Sequence, residues 1–155
     1  STSLSATSDA ERPSNAHTGR VLVVDDQGMN RALLRHVLLR GGLKSVDLAH
    51  DGREALSKLQ ENEYRLVFMD SSMPVMDGLE ATSAYRVWEA AEVDAGRRTA
   101  TTCIVMLSGN VSARDQQAAL EAGATMFLAK GVGAAGIIEV ALRAMRKPGE
   151  EMRGE

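Results

Sequence analysis

Short apolar runs and helically spaced apolar positions alternate along the chain. Residues 21–24 (VLVV) form a continuous run, the pattern of a strand buried on both faces. Leu33, Leu34, Val37 and Leu38 then recur at the spacing of one helical face, and Gly41 and Gly42 mark its end. A weaker strand is predicted over 45–49, and a helix over 53–61 with Ala55, Leu56 and Leu59 on one face. A third strand follows at 66–69, then a longer and less regular helix at 79–92, then a fourth strand at 103–107 (CIVML). Ser112 can cap a helix running to Glu121, Gly123 stops it, and 125–128 form a fifth strand. Ile137, Ile138, Ala141, Leu142 and Met145 line one stripe of a last helix.

Strands and helices in strict alternation imply an α/β fold, a doubly wound parallel sheet covered on both faces, because each parallel crossover needs a helix. Right-handed crossovers follow, and ligands of such sheets sit at the carboxyl ends of the strands. The flanks behave differently. Residues 1–19 are rich in Ser, Thr and Ala without apolar periodicity, and 148–155 are polar and start at a Pro-Gly step. Both are expected to be flexible tails around a folded span of 20–147.

Composition narrows the function. The 155 residues carry 18 Lys+Arg against 21 Asp+Glu, a net charge of −3. That balance, with one Trp, two Tyr and two Phe, argues against a nucleic-acid binder, which needs a basic patch and stacking platforms. One cysteine, Cys103, excludes a disulfide framework and a multi-thiolate zinc site. It starts a strand and is expected to be an inert core residue. No apolar run approaches the roughly 20 residues of a bilayer-crossing helix, so no direct membrane contact is expected. The expected location is cytoplasmic.

Polar residues then stand out at the strand ends. Asp25 and Asp26 follow the first strand, Asp70 the third, Ser108 the fourth and Lys130 the fifth. Singly, each reads as a cap, a turn residue or a solvated charge. Together they put three carboxylates, a hydroxyl and an ammonium on one edge, and acids so gathered repel unless a cation sits among them. Mg²⁺ is held by one or two carboxylates plus phosphate oxygens, a carboxylate can be phosphorylated, and lysine, hydroxyl and metal can neutralise a phosphoryl group in transfer.

The stretches VLVVDDQGMNRALL, VFMDSSMPVMDGLEAT, IVMLSGN and ATMFLAK resemble the response-regulator receiver family over nearly the whole folded span. The resemblance implies a flavodoxin-like sheet of order 2-1-3-4-5 with five helices. It implies Asp70 as phosphoacceptor and Asp25, Asp26 and the backbone carbonyl of Ser72 as Mg²⁺ ligands beside it. Ser108 matches the switch hydroxyl, Lys130 the lysine that pairs with the phosphoryl group, and Phe127 the aromatic switch position; plain core filling is the other reading of Phe127. The Asn30-Arg31 pair and the extended segment YRVWEAAEVDAGRRTATT are similar to receivers of hybrid histidine kinases, whose parent chains are membrane-anchored in some cases. The chain opens on Ser1, as an excised fragment or a chain trimmed of its Met would.

The implied activity is acceptance of a phosphoryl group from a histidine kinase domain and its passage to a histidine phosphotransfer protein. Only self-phosphorylation and self-dephosphorylation would belong to the domain. An unphosphorylated docking module is the alternative. A phosphatase is disfavoured because Ser72 stands where such enzymes need a second Asp. The chain departs from the family at Gly131, where proline usually follows the lysine; a trans bond is expected there, and the run GVGAAG is expected to loosen the start of the last helix. Gln27 replaces a common Asn, and Ser72, Gly109 and Asn110 flank the phosphoryl position. His17, His36 and His50 lack a partner motif, and the methionines are expected in the core.

Overall fold

The computed structural model describes residues 19–146. Of the tails expected over 1–19 and 148–155, all but residue 19 lie outside the described residues, as do His17 and the domain end at Lys147. The elements are β1 (Arg20–Val24), α1 (Gly28–Arg40), β2 (Ser45–Ala49), α2 (Gly52–Glu61), β3 (Leu66–Asp70), α3 (Gly78–Asp94), β4 (Cys103–Ser108), α4 (Ala113–Ala122), β5 (Met126–Ala129) and α5 (Gly133–Met145). A single 3₁₀ turn, Lys130–Val132, joins β5 to α5. The strands are parallel in the order β2-β1-β3-β4-β5.

Alternation along the buried strands divides the interior in two. Leu22, Val24, Val67, Met69, Ile104 and Met106 face the side covered by α2, α3 and α4, where Leu59, Ala81, Tyr85 and Ala119 meet them. Val21, Val23, Leu66, Phe68, Val105 and Leu107 face Leu38, Ile137, Ala141 and Met145 of α1 and α5. Apolar burial on both faces is why the central strands read as continuous apolar runs.

Local chemistry sets the helix ends. Asp51 accepts from the Glu54 amide at α2, and Ser112 from the Asp115 amide at α4. At α3, Asp77 and Glu80 form a reciprocal capping box. Two glycines are demanded by close approach. A Cβ on Gly52 would run into the Met76 carbonyl, and one on Gly78 into the Asp70 carbonyl. The Gly52 amide instead donates to Met76 O at 2.9 Å, tying the start of α2 to the loop after β3.

The extended segment after α3 is held by a buried arginine. Arg98 donates to the carbonyls of Leu59 and Asn62 at 3.1 Å each, satisfying the end of α2, and its guanidinium lies 4.9 Å from the centre of the Trp88 ring. Glu89 accepts from the Thr102 amide at 2.7 Å and from Arg86 at 2.8 Å.

Several expectations change. Cys103, the first residue of β4, is half-buried and packs against the core on the side of α1 and α5; burial pushes its thiol up. Met29 is 84% exposed, unlike the buried Met69, Met106 and Met145, since it sits in the first turn of α1 beyond the core. Thr125 stands just before β5, its hydroxyl accepting from the Ile104 amide at 3.0 Å. His50 is paired with Glu54 and lies 3.5 Å from Asp51. The described residues contain no cis peptide bond, so Lys130–Gly131 is trans, as expected; Lys130–Val132 form a 3₁₀ turn that leads directly into α5. At the amino edge of the sheet, Arg65 donates to the Arg146 carbonyl at 2.7 Å, and Gly19 lies against Arg65 and the Met145 sulfur.

Candidate functional site

The carboxyl edge of the sheet gathers the acids, because β1 and β3 are adjacent and run the same way. Asp25 continues the pairing of β1 through its amide, which donates to Ala49 O at 3.1 Å. Its side chain accepts from the Gln27 amide at 2.9 Å, and its carbonyl accepts from Arg31 at 2.7 Å. Asp26, the next residue, is exposed. Asp70 ends β3 at 2% exposure and accepts from the Ser72 amide at 3.2 Å. One carboxylate oxygen from each of Asp25, Asp26 and Asp70 lies within 4.8 Å of the others.

Lys130 enters from the end of β5, its Nζ 3.1 Å from Asp70 Oδ1. One ammonium does not balance three carboxylates, and the donors are all oxygen, the set that suits a hard divalent cation such as Mg²⁺. Burial pushes the Asp70 carboxyl above its usual range, with the Asp25 charge adding to it; the Ser72 amide and Lys130 oppose the rise. A cation among these groups favours the ionised carboxylate.

Ser108 ends β4 one step beyond Leu107, the register partner of Asp70, and opposite Ala129, which precedes Lys130. It is buried, and its hydroxyl accepts from the Asn110 amide at 3.1 Å. A Cβ on Gly109 would meet nothing within 4 Å, so the approach there is open. Phe127 is partly buried against the core beneath α2, α3 and α4. Ser72 is exposed beside Asp70.

The sequence reading missed the rim. Met29 and Leu33 on α1 are 84% and 62% exposed, and Val132 after Lys130 is 39% exposed. A cavity of about 290 Å³ lies between α1 and α5, walled by Leu34, Val37, Leu107 and Ile137 with Asp25 and Lys130 at its polar end. Exposed apolar residues in a helical pattern are indistinguishable from core residues until the helix is oriented. Two larger cavities, of about 590 and 1000 Å³, lie at the amino edge around Cys103 and Thr102, away from the acids.

Residues 21–142 match the family model described as the response regulator receiver domain. The chain is 32% identical over 151 residues to the sensor protein GacS of Pseudomonas syringae pv. syringae, covering 95% of this chain and 16% of that protein. It therefore spans a small part of the length of such relatives. Among solved structures, the receiver domain of the sensor histidine kinase PA1611 from Pseudomonas aeruginosa is 29% identical, with a TM-score of 0.69 over 82% of this chain and 97% of that one. That structure has a magnesium ion coordinated in its active-site cleft. The receiver domain of Ssk1 from Saccharomyces cerevisiae, crystallised with the histidine phosphotransfer protein Ypd1, gives 31% identity and a TM-score of 0.72 over 79% of this chain and 85% of that one.

Proposed function

The chain belongs to the response regulator receiver domain family, and from that premise we propose that it accepts a phosphoryl group from phosphohistidine onto Asp70 in a two-component phosphorelay. One observation carries the reading: a buried carboxylate at a strand end, with Lys130 Nζ at 3.1 Å and two further carboxylates beside it. An Asp70 oxygen attacks phosphorus, the P–N bond to the partner's imidazole breaks, and the imidazole leaves with that electron pair. Lys130 and the Ser108 hydroxyl then pair with phosphoryl oxygens on Asp70. Asp25, Asp26, Asp70 and the Ser72 carbonyl would hold Mg²⁺, which supplies neutralisation of charge on the transferring group.

Contacts that Ser108 and Phe127 make only in the phosphorylated state shift the domain between two conformations. Self-phosphorylation and self-dephosphorylation would be the only chemistry of the domain itself. The exposed Met29, Leu33 and Val132 around the site suit docking of a histidine phosphotransfer protein, the kind of partner carried by the Ssk1 receiver. A histidine kinase domain is the donor, and similarity to GacS supports a hybrid kinase as the parent chain.

Intact mass after incubation with acetyl phosphate tests the reading. One phosphoryl adduct is expected with Mg²⁺, none after chelation and none for Asp70→Asn. Absence of both an adduct and beryllofluoride binding would leave a docking module. Asp26→Ala should weaken Mg²⁺ binding at least tenfold by calorimetry. Lys130→Ala should leave metal binding in place while impairing the phosphorylated state.

A further inference from the structure

We infer that Arg31 is a positioning residue for the divalent-cation site, acting through the peptide unit that joins Asp25 to Asp26. The inference rests on the Mg²⁺ reading above. Asp25 keeps its amide in the ladder with β2, but the chain turns away there, and its carbonyl leaves the sheet in a residue that is 7% exposed. A buried carbonyl needs a donor. Arg31, from the first turn of α1, reaches back six residues and supplies one at 2.7 Å.

That carbonyl oxygen belongs to the same planar group as the Asp26 amide. Holding the oxygen fixes the plane, and the plane fixes the direction in which Asp26 leaves it. The other restraints on the turn fall on Gln27, whose carbonyl accepts from the Arg31 amide at 3.1 Å and whose side chain accepts from Asn30 at 3.2 Å. Gln27 occupies the cap position of α1 without a capping side-chain bond. Among the described residues the Asp26 carboxylate has no hydrogen bond or ion pair of its own. Asp25 is aimed by the Gln27 amide, so Arg31 is what remains to aim Asp26.

Arginine also brings a positive charge, which opposes a cation nearby. The two effects have opposite signs and can be separated. Arg31→Met keeps the length, removes the donor and removes the charge; Arg31→Lys keeps the charge and one donor. With positioning dominant, Arg31→Met binds Mg²⁺ three- to tenfold more weakly by calorimetry, and Arg31→Lys stays within about twofold of the unaltered chain. The Gln27 amide should exchange faster in metal-free Arg31→Met, while the urea midpoint of chelated protein moves little.

Equal or tighter Mg²⁺ binding by Arg31→Met overturns the inference and leaves the function standing. So does a loss of affinity accompanied by a proportionate drop in the metal-free urea midpoint, which would make Arg31 a stability residue only. An unaltered chain that binds no Mg²⁺ at millimolar concentration removes the functional reading itself, and this inference with it.

Discussion

Asp70 is a charge the fold shelters at some cost. Solvent barely reaches it, Asp25 repels it, and one ammonium and one amide answer it. Its carboxyl is raised, so the folded chain holds that proton more tightly than the unfolded chain does. The contribution to stability is therefore unfavourable at neutral pH, and it fades as pH falls through the raised value toward the ordinary carboxylate range. Asp70→Asn should raise the metal-free stability by about 1 kcal/mol at neutral pH, the scale of an imperfectly paired buried group. Urea midpoints with chelator measure this, and the gap should narrow in acid. Added Mg²⁺ should reverse the order, because it stabilises only the form with all three acids to hold it.

At the scale of elements, the turns beneath the site are as specified as the site. The Asp77–Glu80 capping box starts the helix that follows the Asp70 loop, and Asp77→Ala should lower stability by about 1 kcal/mol in urea titration. Arg98→Met should cost about 2 kcal/mol, since it strands the carbonyls of Leu59 and Asn62 at the end of α2. The elements themselves were largely legible in the sequence. A β-branched-rich run such as VLVV has few other uses, and parallel topology then sends every strand end to one edge, which is why Asp25, Asp26, Asp70, Ser108 and Lys130 could be grouped from their positions alone. Contacts between elements were not legible. Nothing in AGRRT marks Arg98 as the arginine that closes α2, and no spacing rule foretells Arg31 reaching the Asp25 carbonyl. Nor does any spacing mark Gly52 as the residue that the Met76 carbonyl packs against. The pattern predicts β5 one residue early because its residues are only partly buried, which weakens the pattern at its boundaries.

On the scale of the whole molecule, an ion-pair network fastens the outer strand pair. Asp47 on β2 accepts from Arg20 at 2.5 Å and from the Tyr64 hydroxyl at 2.6 Å. Burial alone would raise the Asp47 carboxyl, but these two partners outweigh it and hold it below its usual range. That stability is present above the unfolded carboxylate value and is lost as pH falls through the lowered one. Tyr64→Phe should cost about 1 kcal/mol at neutral pH, with the difference from the unaltered chain shrinking in strong acid, read from thermal midpoints. None of the described helices is long and apolar enough to cross a membrane. The meeting of Gly19, Arg65, Met145 and Arg146 at the amino edge has an architectural consequence. Gly19 and Arg146 both lie on the side away from the reactive acids, separated from them by a strand's length of roughly 16 Å. The acid-bearing edge is thereby left clear of both residues.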